Sequence, residues 1–171
     1  TLSSYFGALF KKICFWGNLF RQKNTTVQSI YIGGWTPFSI PAETLAALLQ
    51  TISRELPLAS DLTFSLETSP AATLRPDAGE KLDLLKKYGL TRFSIGIQTF
   101  DSETLRDTAR VTPHSQTGDE EKAVAWLMQS GISEINVDMI QDLPLQSNSF
   151  LERLEYDLQK IAELKPQHVT W

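Results

Sequence analysis

Two carboxylates, one carboxamide and a glycine pair give this chain its means of doing chemistry. Glu67 and Asp138 can serve as general acid and base or accept hydrogen bonds, and Gln98 can donate and accept. Gly33-Gly34 can bring bare backbone close to a ligand. Each stands at the end of a short apolar run: Ser29-Ile-Tyr-Ile-Gly-Gly34, Leu62-Thr-Phe-Ser-Leu-Glu67, Arg92-Phe-Ser-Ile-Gly-Ile-Gln98 and Glu134-Ile-Asn-Val-Asp138-Met-Ile140. Gly34, Glu67, Gln98 and Asp138 follow one another at intervals of 33, 31 and 40 residues. If the runs are parallel strands, their carboxyl ends share one face, where α/β proteins place ligand sites. From the residues alone, Glu67 and Asp138 read first as polar ends of buried strands, capped by backbone or water. Gly33-Gly34 lacks the further glycines and helix start of a phosphate-cradling turn.

The elements that must position these residues follow from periodicity. Strands are expected over about 28–32, 62–67, 92–98 and 135–140, with a fifth at Val169-Thr-Trp171. Helices fill the gaps. Pro41 opens one whose face is Leu45, Leu48, Leu49, Ile52 and Leu56, and Pro57 ends it. Others run over about 76–87 with Gly89 as cap, 101–109 capped by Asp101, 119–129 and 149–164. The order β-α-β-α-β-α-α-β-α-β means parallel strands joined by crossover helices, and such strands are buried on both faces. An open doubly wound sheet and part of a (β/α) barrel both fit, the even spacing favouring the barrel. Five strands cannot close one.

The chain is 171 residues long, 42% apolar and 21% charged, with a net charge of −4. That is enough for one domain with a core, and the charge gives no general pull toward nucleic acid. One cysteine excludes a disulfide framework and a multi-thiolate metal site built by this chain alone. No apolar run is long enough to span a bilayer, and a cytoplasmic location is expected. Residues 1–26 read as an amphipathic segment distinct from a domain over 27–171. Leu2, Phe6, Leu9, Ile13, Trp16 and Phe20, at steps of three and four, give a helix over 2–22. Lys11, Lys12, Arg21 and Lys23 precede the first acidic residue, Glu43. Packing on the domain is the favoured reading of this helix; a targeting or membrane-surface element, or a stretch foreign to the fold, are the alternatives. Aromatic residues beside its lysines lack a stacking motif for RNA. His114 and His168 read as loop and strand-edge residues without metal-ligand companions, Cys14 as a packed thiol, and Lys81, Lys86 and Lys87 as a solvated helix face. The chain starts at Thr1 and stops within an apolar stretch, which reads as a piece of a longer protein.

Three segments together resemble the radical SAM family of oxygen-independent coproporphyrinogen III oxidases and their heme-chaperone relatives. They are Tyr31-Ile-Gly-Gly-Trp-Thr-Pro37, Arg92-Phe-Ser-Ile-Gly-Ile-Gln-Thr-Phe100 and Asn136-Val-Asp-Met-Ile-Gln-Asp-Leu-Pro144. The resemblance runs from about Val27 to Trp171 and implies a partial (β/α) barrel of about five parallel strands. The family's Gly-Gly-Gly-Thr-Pro, which contacts S-adenosylmethionine (SAM), is matched by Gly33, Gly34, Thr36 and Pro37, with Trp35 in place of the last glycine. Glu67 matches the glutamate of Glu-x-x-Pro; Gln98, Arg110 and Asp138 match a glutamine, an arginine and an aspartate that lie near SAM. The implied cofactor set is therefore SAM held by Gly33, Gly34, Thr36, Glu67, Gln98, Arg110 and Asp138. In the intact family a [4Fe–4S] cluster accompanies it and a 5′-deoxyadenosyl radical results; the oxidase branch decarboxylates propionate side chains in heme synthesis.

Departures are equally informative. The family's Cys-x3-Cys-x2-Cys should precede the first strand, where only Cys14 stands. A cluster needs several thiolates, so this chain does not support one. Two further glycines are lost at Gln141-Asp-Leu-Pro-Leu-Gln146, and Trp35, Asp142 and Leu145 put bulk where bare backbone is expected. The resemblance implies the SAM-binding portion of such a protein, truncated or inactive for want of the cysteines, with a tetrapyrrole or heme as further small-molecule partner. A non-catalytic heme-handling protein and a degenerate scaffold that docks a partner are the alternatives.

Overall fold

The computed structural model describes residues 2–34, 36–109, 115–141, 143 and 150–171. Five strands form one sheet: β1 (Val27–Ile32), β2 (Leu58–Thr68), β3 (Arg92–Gln98), β4 (Glu134–Met139) and β5 (His168–Thr170). The helices are α1 (Leu2–Gln22), α2 (Ala42–Glu55), α3 (Pro70–Thr73), α4 (Ala78–Lys87), α5 (Ser102–Asp107), α6 (Asp119–Met128) and α7 (Phe150–Leu164), with a 3-10 turn at Pro37–Ser39. Strands expected from alternation are found at their places. β2 starts four residues early, and the short α3, whose Ser69 cap accepts from Ala72 N, lacks the length to leave a periodic signal.

The strand order is β1-β2-β3-β4-β5, every pair parallel. This order decides between the two architectures. A doubly wound sheet reverses direction at a switch point. Here every crossover steps the same way, and since crossovers are right-handed all the helices fall on one face. The chain is therefore a run of consecutive barrel staves. The helix-covered face carries Ile30, Ile32, Phe64, Leu66, Phe93, Ile95, Ile97, Ile135, Val137 and Met139, packed against Leu45, Leu49, Leu82, Leu85, Val124 and Leu127. Fully burying each such side chain contributes about 1.5–3 kcal/mol, so this layer is what holds the sheet.

The opposite face corrects the expectation of strands buried in apolar surroundings on both sides. Alternate residues place Tyr31, Ser65, Glu67, Arg92, Ser94, Glu134, Asn136, Asp138 and Thr170 there. Of these, Ser65, Ser94 and Asn136 in the middle are buried, while Tyr31 and Thr170 at the margins are exposed. One-way winding leaves this face without a helix layer among the described residues, and the sequence fills it with polar groups.

α1 packs on α2 as the favoured reading had it. Phe6 joins Leu48 and Ile52 in a second apolar cluster. Gly17 lies so close to the end of α2 that a Cβ there would stand 2.0 Å from the Glu55 carbonyl oxygen. Arg21 Nη1 donates to that same oxygen at 2.6 Å. One lysine departs from its expected role. Lys81 is 0% exposed, donates to the Phe38 carbonyl at 3.0 Å and pairs with Asp77 at 2.8 Å. It sits on the inward stripe of α4 beside Leu82 and Leu85, where these two partners satisfy its buried amino group.

Candidate ligand site at the strand ends

Glu67 ends β2 on the polar face. Its Oε1 accepts from the Tyr31 hydroxyl at 2.7 Å and its Oε2 from the Gly34 N–H at 2.6 Å. The carboxylate thus lies across the turn that follows β1. This explains the glycine pair. A Cβ on Gly33 would fall 2.6 Å from Glu67 Oε1 and 2.6 Å from Tyr31 Cε1. Gly34 takes φ +88°, a left-handed conformation that side chains disfavour. Burial first, then the hydrogen bond and charge of Glu67, then Asp138, push the Tyr31 hydroxyl up to about 12, against a smaller pull from Ser94. Tyr31, Glu67, Ser94 and Asp138 therefore share one electrostatic neighbourhood.

Asp138, on β4, is held as firmly. Its Oδ2 accepts from Ser94 Oγ at 2.7 Å and its Oδ1 from Asn136 Nδ2 at 2.6 Å. Asn136 also donates to Ser94 Oγ at 2.8 Å and accepts from Thr170 Oγ1 at 3.1 Å, carrying the network across β3, β4 and β5. A carboxylate offers about four lone-pair positions. Glu67 and Asp138 each use two on protein donors and keep the rest for hydroxyl or amino groups.

Gln98 closes β3 with φ +74° after a register shift opposite β4. A left-handed residue other than glycine costs about 1–2 kcal/mol, and such conformations collect at functional sites. Its amide folds over Gly96, where a Cβ would meet Gln98 Nε2 at 2.8 Å. The carboxamide has no hydrogen-bond partner among the described residues. Thr36 also has a left-handed backbone (φ 60°) and accepts from Ser39 N at the start of the 3-10 turn, without a side-chain link to the carboxylates. Arg110 lies outside the described residues, as do Trp35, Asp142, Leu145 and His114.

The structure thus brings Gly33, Gly34, Glu67 and Asp138 onto one edge, sets Gln98 beside them, and leaves Thr36 in the turn below. It adds Tyr31, Ser94, Asn136 and Thr170. Period two held the signal for Ser94 and Asn136, since they alternate in phase with Asp138. Arg153 and Asp157 of α7 carried no sequence signal. Arg153 donates to the carbonyls of Ile140 and Gln141, and Asp157 accepts from Thr99 Oγ1 at 2.9 Å and Phe100 N at 2.7 Å. A cavity of about 240 Å³ touches Gly96, Gln98, Ser69 and Glu120, and an apolar one of about 510 Å³ reaches Gly33 and Gly34 from the α1 side. A third, about 650 Å³, lies between α1 and β1, away from the strand ends. Among the described residues no helix is long and apolar enough to cross a membrane.

SAM and a cluster fare differently against these residues. The open space at Gly34, two carboxylates with spare acceptor capacity and a carboxamide without a partner among the described residues fit a ligand rich in hydroxyl and amino groups. A [4Fe–4S] cluster does not fit: Cys14, half-buried on α1, is the sole cysteine of the chain.

Fold and site together define a parallel (β/α) protein of barrel winding, with its polar groups gathered at the carboxyl edge of the inner face. Residues 18–154 match the Radical SAM superfamily, and the chain belongs to that family. It is 30% identical over 145 residues to the heme chaperone HemW of Haemophilus influenzae, covering 85% of this chain and 35% of the relative. HemW of Bacillus subtilis is 34% identical over 145 residues, 84% of this chain and 36% of the relative. The oxygen-independent coproporphyrinogen III oxidase of Synechocystis is 29% identical over 170 residues, 99% of this chain and 34% of the relative. Among solved structures, coproporphyrinogen III oxidase (HemN) from Escherichia coli superposes with a TM-score of 0.80 at 24% identity, over 99% of this chain and 37% of that one. The chain spans about a third of the length of these relatives.

Proposed function

We propose that this chain is the SAM-binding portion of a radical SAM protein of the coproporphyrinogen oxidase and heme chaperone group. The observation that carries the reading is Glu67 laid across the Gly33–Gly34 turn, with Asp138 held two strands away on the same face. Gly34 admits the ligand close to backbone, while Gly33 beside it makes room for Glu67 and Tyr31. Glu67 and Asp138 accept its hydroxyl or amino hydrogens, Gln98 offers both a donor and an acceptor, and Thr36 and Arg110 complete the set that the family resemblance implies. In the family SAM is the source of the 5′-deoxyadenosyl group; here the protein's part is to bind and orient it. Without the cluster thiolates, cleavage of SAM is outside this chain's own means. A cytoplasmic location agrees with this reading.

Equilibrium dialysis against labelled SAM tests it. Saturable binding is expected, weakened about tenfold or more in Glu67→Gln and Asp138→Asn, since each loses charge-assisted acceptance. No saturable binding to the wild-type chain overturns the reading. The similarity to heme chaperones supports a second reading, heme handling by the same protein. A Soret titration tests it, and an unsaturable response removes it.

A further inference from the structure

We propose that Arg153 and Asp157 are positioning residues: one turn of α7 latches the two strand ends that carry Gln98 and Asp138. The two side chains stand at i and i+4 on one face of the helix and are 2% and 1% exposed. Asp157 grips the chain just past Gln98. Its Oδ1 and Oδ2 accept from Thr99 Oγ1 at 3.0 and 2.9 Å, and Oδ1 accepts from Phe100 N at 2.7 Å. Thr99 Oγ1 in turn accepts from Asp101 N at 3.1 Å. Arg153 grips the chain just past β4 through the Ile140 and Gln141 carbonyls. The two strand ends also meet directly, Ile140 N donating to Gln98 O at 2.8 Å.

This arrangement accounts for the backbone of Gln98. A left-handed glutamine persists only where its surroundings over-determine it. The surroundings are the Gly96 gap on one side, which leaves room for the amide, and the Asp157 anchor on the other, which fixes the next two residues. A buried aspartate is costly unless its donors, here the shared Thr99 hydroxyl and the Phe100 N–H, are both in place, so the anchor is all-or-none. Slack in α7 would let Gln98 relax to a right-handed backbone and swing its carboxamide off the site. The functional part of the inference rests on Gln98 and Asp138 facing the ligand, as proposed above; the latch itself does not.

Amide hydrogen exchange measured residue by residue on the folded chain decides it. Asp157→Ala removes the acceptor of Phe100 N–H, so Phe100 exchanges faster in any case. The telling amide is Ile140 N–H, which Asp157 does not touch and which depends on the place of Gln98 O. Its exchange is expected to quicken about tenfold, the worth of one ordinary hydrogen bond. An unchanged Ile140 amide beside a faster Phe100 overturns the latch. Thr99→Val removes the hydroxyl bonded to both Asp157 oxygens without removing the charge. It is expected to give the same Ile140 response, and it decides the matter if Asp157→Ala does not fold. SAM affinity is expected to fall with Ile140 protection across the variants. If the wild-type chain binds no SAM, the functional reading fails while the Ile140 exchange still rules on the latch.

Discussion

Replacing Glu67 by glutamine tests the geometry of the site without asking it to bind anything. The wild-type carboxylate takes the Tyr31 hydroxyl at 2.7 Å and the Gly34 N–H at 2.6 Å. Gly34 N–H can only donate, so the glutamine must turn its carbonyl to Gly34 and its NH2 to Tyr31. The tyrosine hydroxyl then accepts where it once donated, and only burial and the charge of Asp138 remain to hold its proton. Burial, the first cause of its elevation to about 12, persists; the Glu67 hydrogen bond and charge, the next two, vanish. The Tyr31 titration should fall back toward the ordinary value near 10. A shift from 10 to about 12 would correspond to about 2.7 kcal/mol if fully realised. Tyr31 is 61% exposed, and solvent screening cuts that to about 1 kcal/mol. The sign is fixed: a raised folded-state value stabilises fully below pH 10 and is lost as pH rises from about 10 to about 12. Ultraviolet titration of tyrosinate, with Tyr31→Phe as the subtracted reference, reads the shift; urea unfolding at neutral and alkaline pH reads the stability. If Tyr31 titrates identically in wild type and Glu67→Gln, the carboxylate does not lie against the hydroxyl and the account of the Gly33–Gly34 turn is wrong.

Gly33→Ala should cost about 1–3 kcal/mol by overpacking and lower SAM affinity with it, because the added methyl meets Glu67 and Tyr31 at 2.6 Å; unchanged urea stability would contradict the close approach. Gly17→Ala places a Cβ 2.0 Å from the rigid Glu55 carbonyl, so α1 should lift from α2 and become sensitive to limited proteolysis while the sheet keeps its circular dichroism. Lys81→Met leaves the Phe38 carbonyl and Asp77 without their buried donor and should cost about 1–3 kcal/mol in chemical denaturation. It should also release Asp77, whose carboxyl Lys81 holds below its ordinary value. The wild-type chain loses that contribution as pH falls through the lowered value, and the variant should show a smaller acid limb, the part that Arg75 still supplies. Anaerobic reconstitution with iron and sulfide should leave the chain metal-free, since Cys14 offers a single thiolate; a stoichiometric cluster by metal and sulfide analysis would refute the fit argument.

The apolar runs, their alternation and the helical stripes between them were enough to place five strands and most helices, because hydrophobic period and capping residues are local properties of the chain. Asp101 and Gly89 mark helix ends in the sequence and do so in the fold. Glu67, Gln98 and Asp138 could be picked out for the same reason: each is the polar residue at which a run stops. Their partners could not. Whether Lys81 faces water or Phe38 depends on where α4 docks, and helix periodicity alone put it with its solvated neighbours Lys86 and Lys87. The direction of winding, which leaves one sheet face polar and open to the site, depends on the order of strand pairing and not on any one strand. Arg153 and Asp157 look like ordinary charges on an amphipathic helix until α7 packs over strand ends more than forty residues away from Asp157 in one case and only a loop away from Arg153 in the other. Local pattern decided what this chain is made of; tertiary packing decided which polar groups meet, because a hydrogen bond spanning dozens of residues exists only once the elements carrying its two ends have been fixed in space.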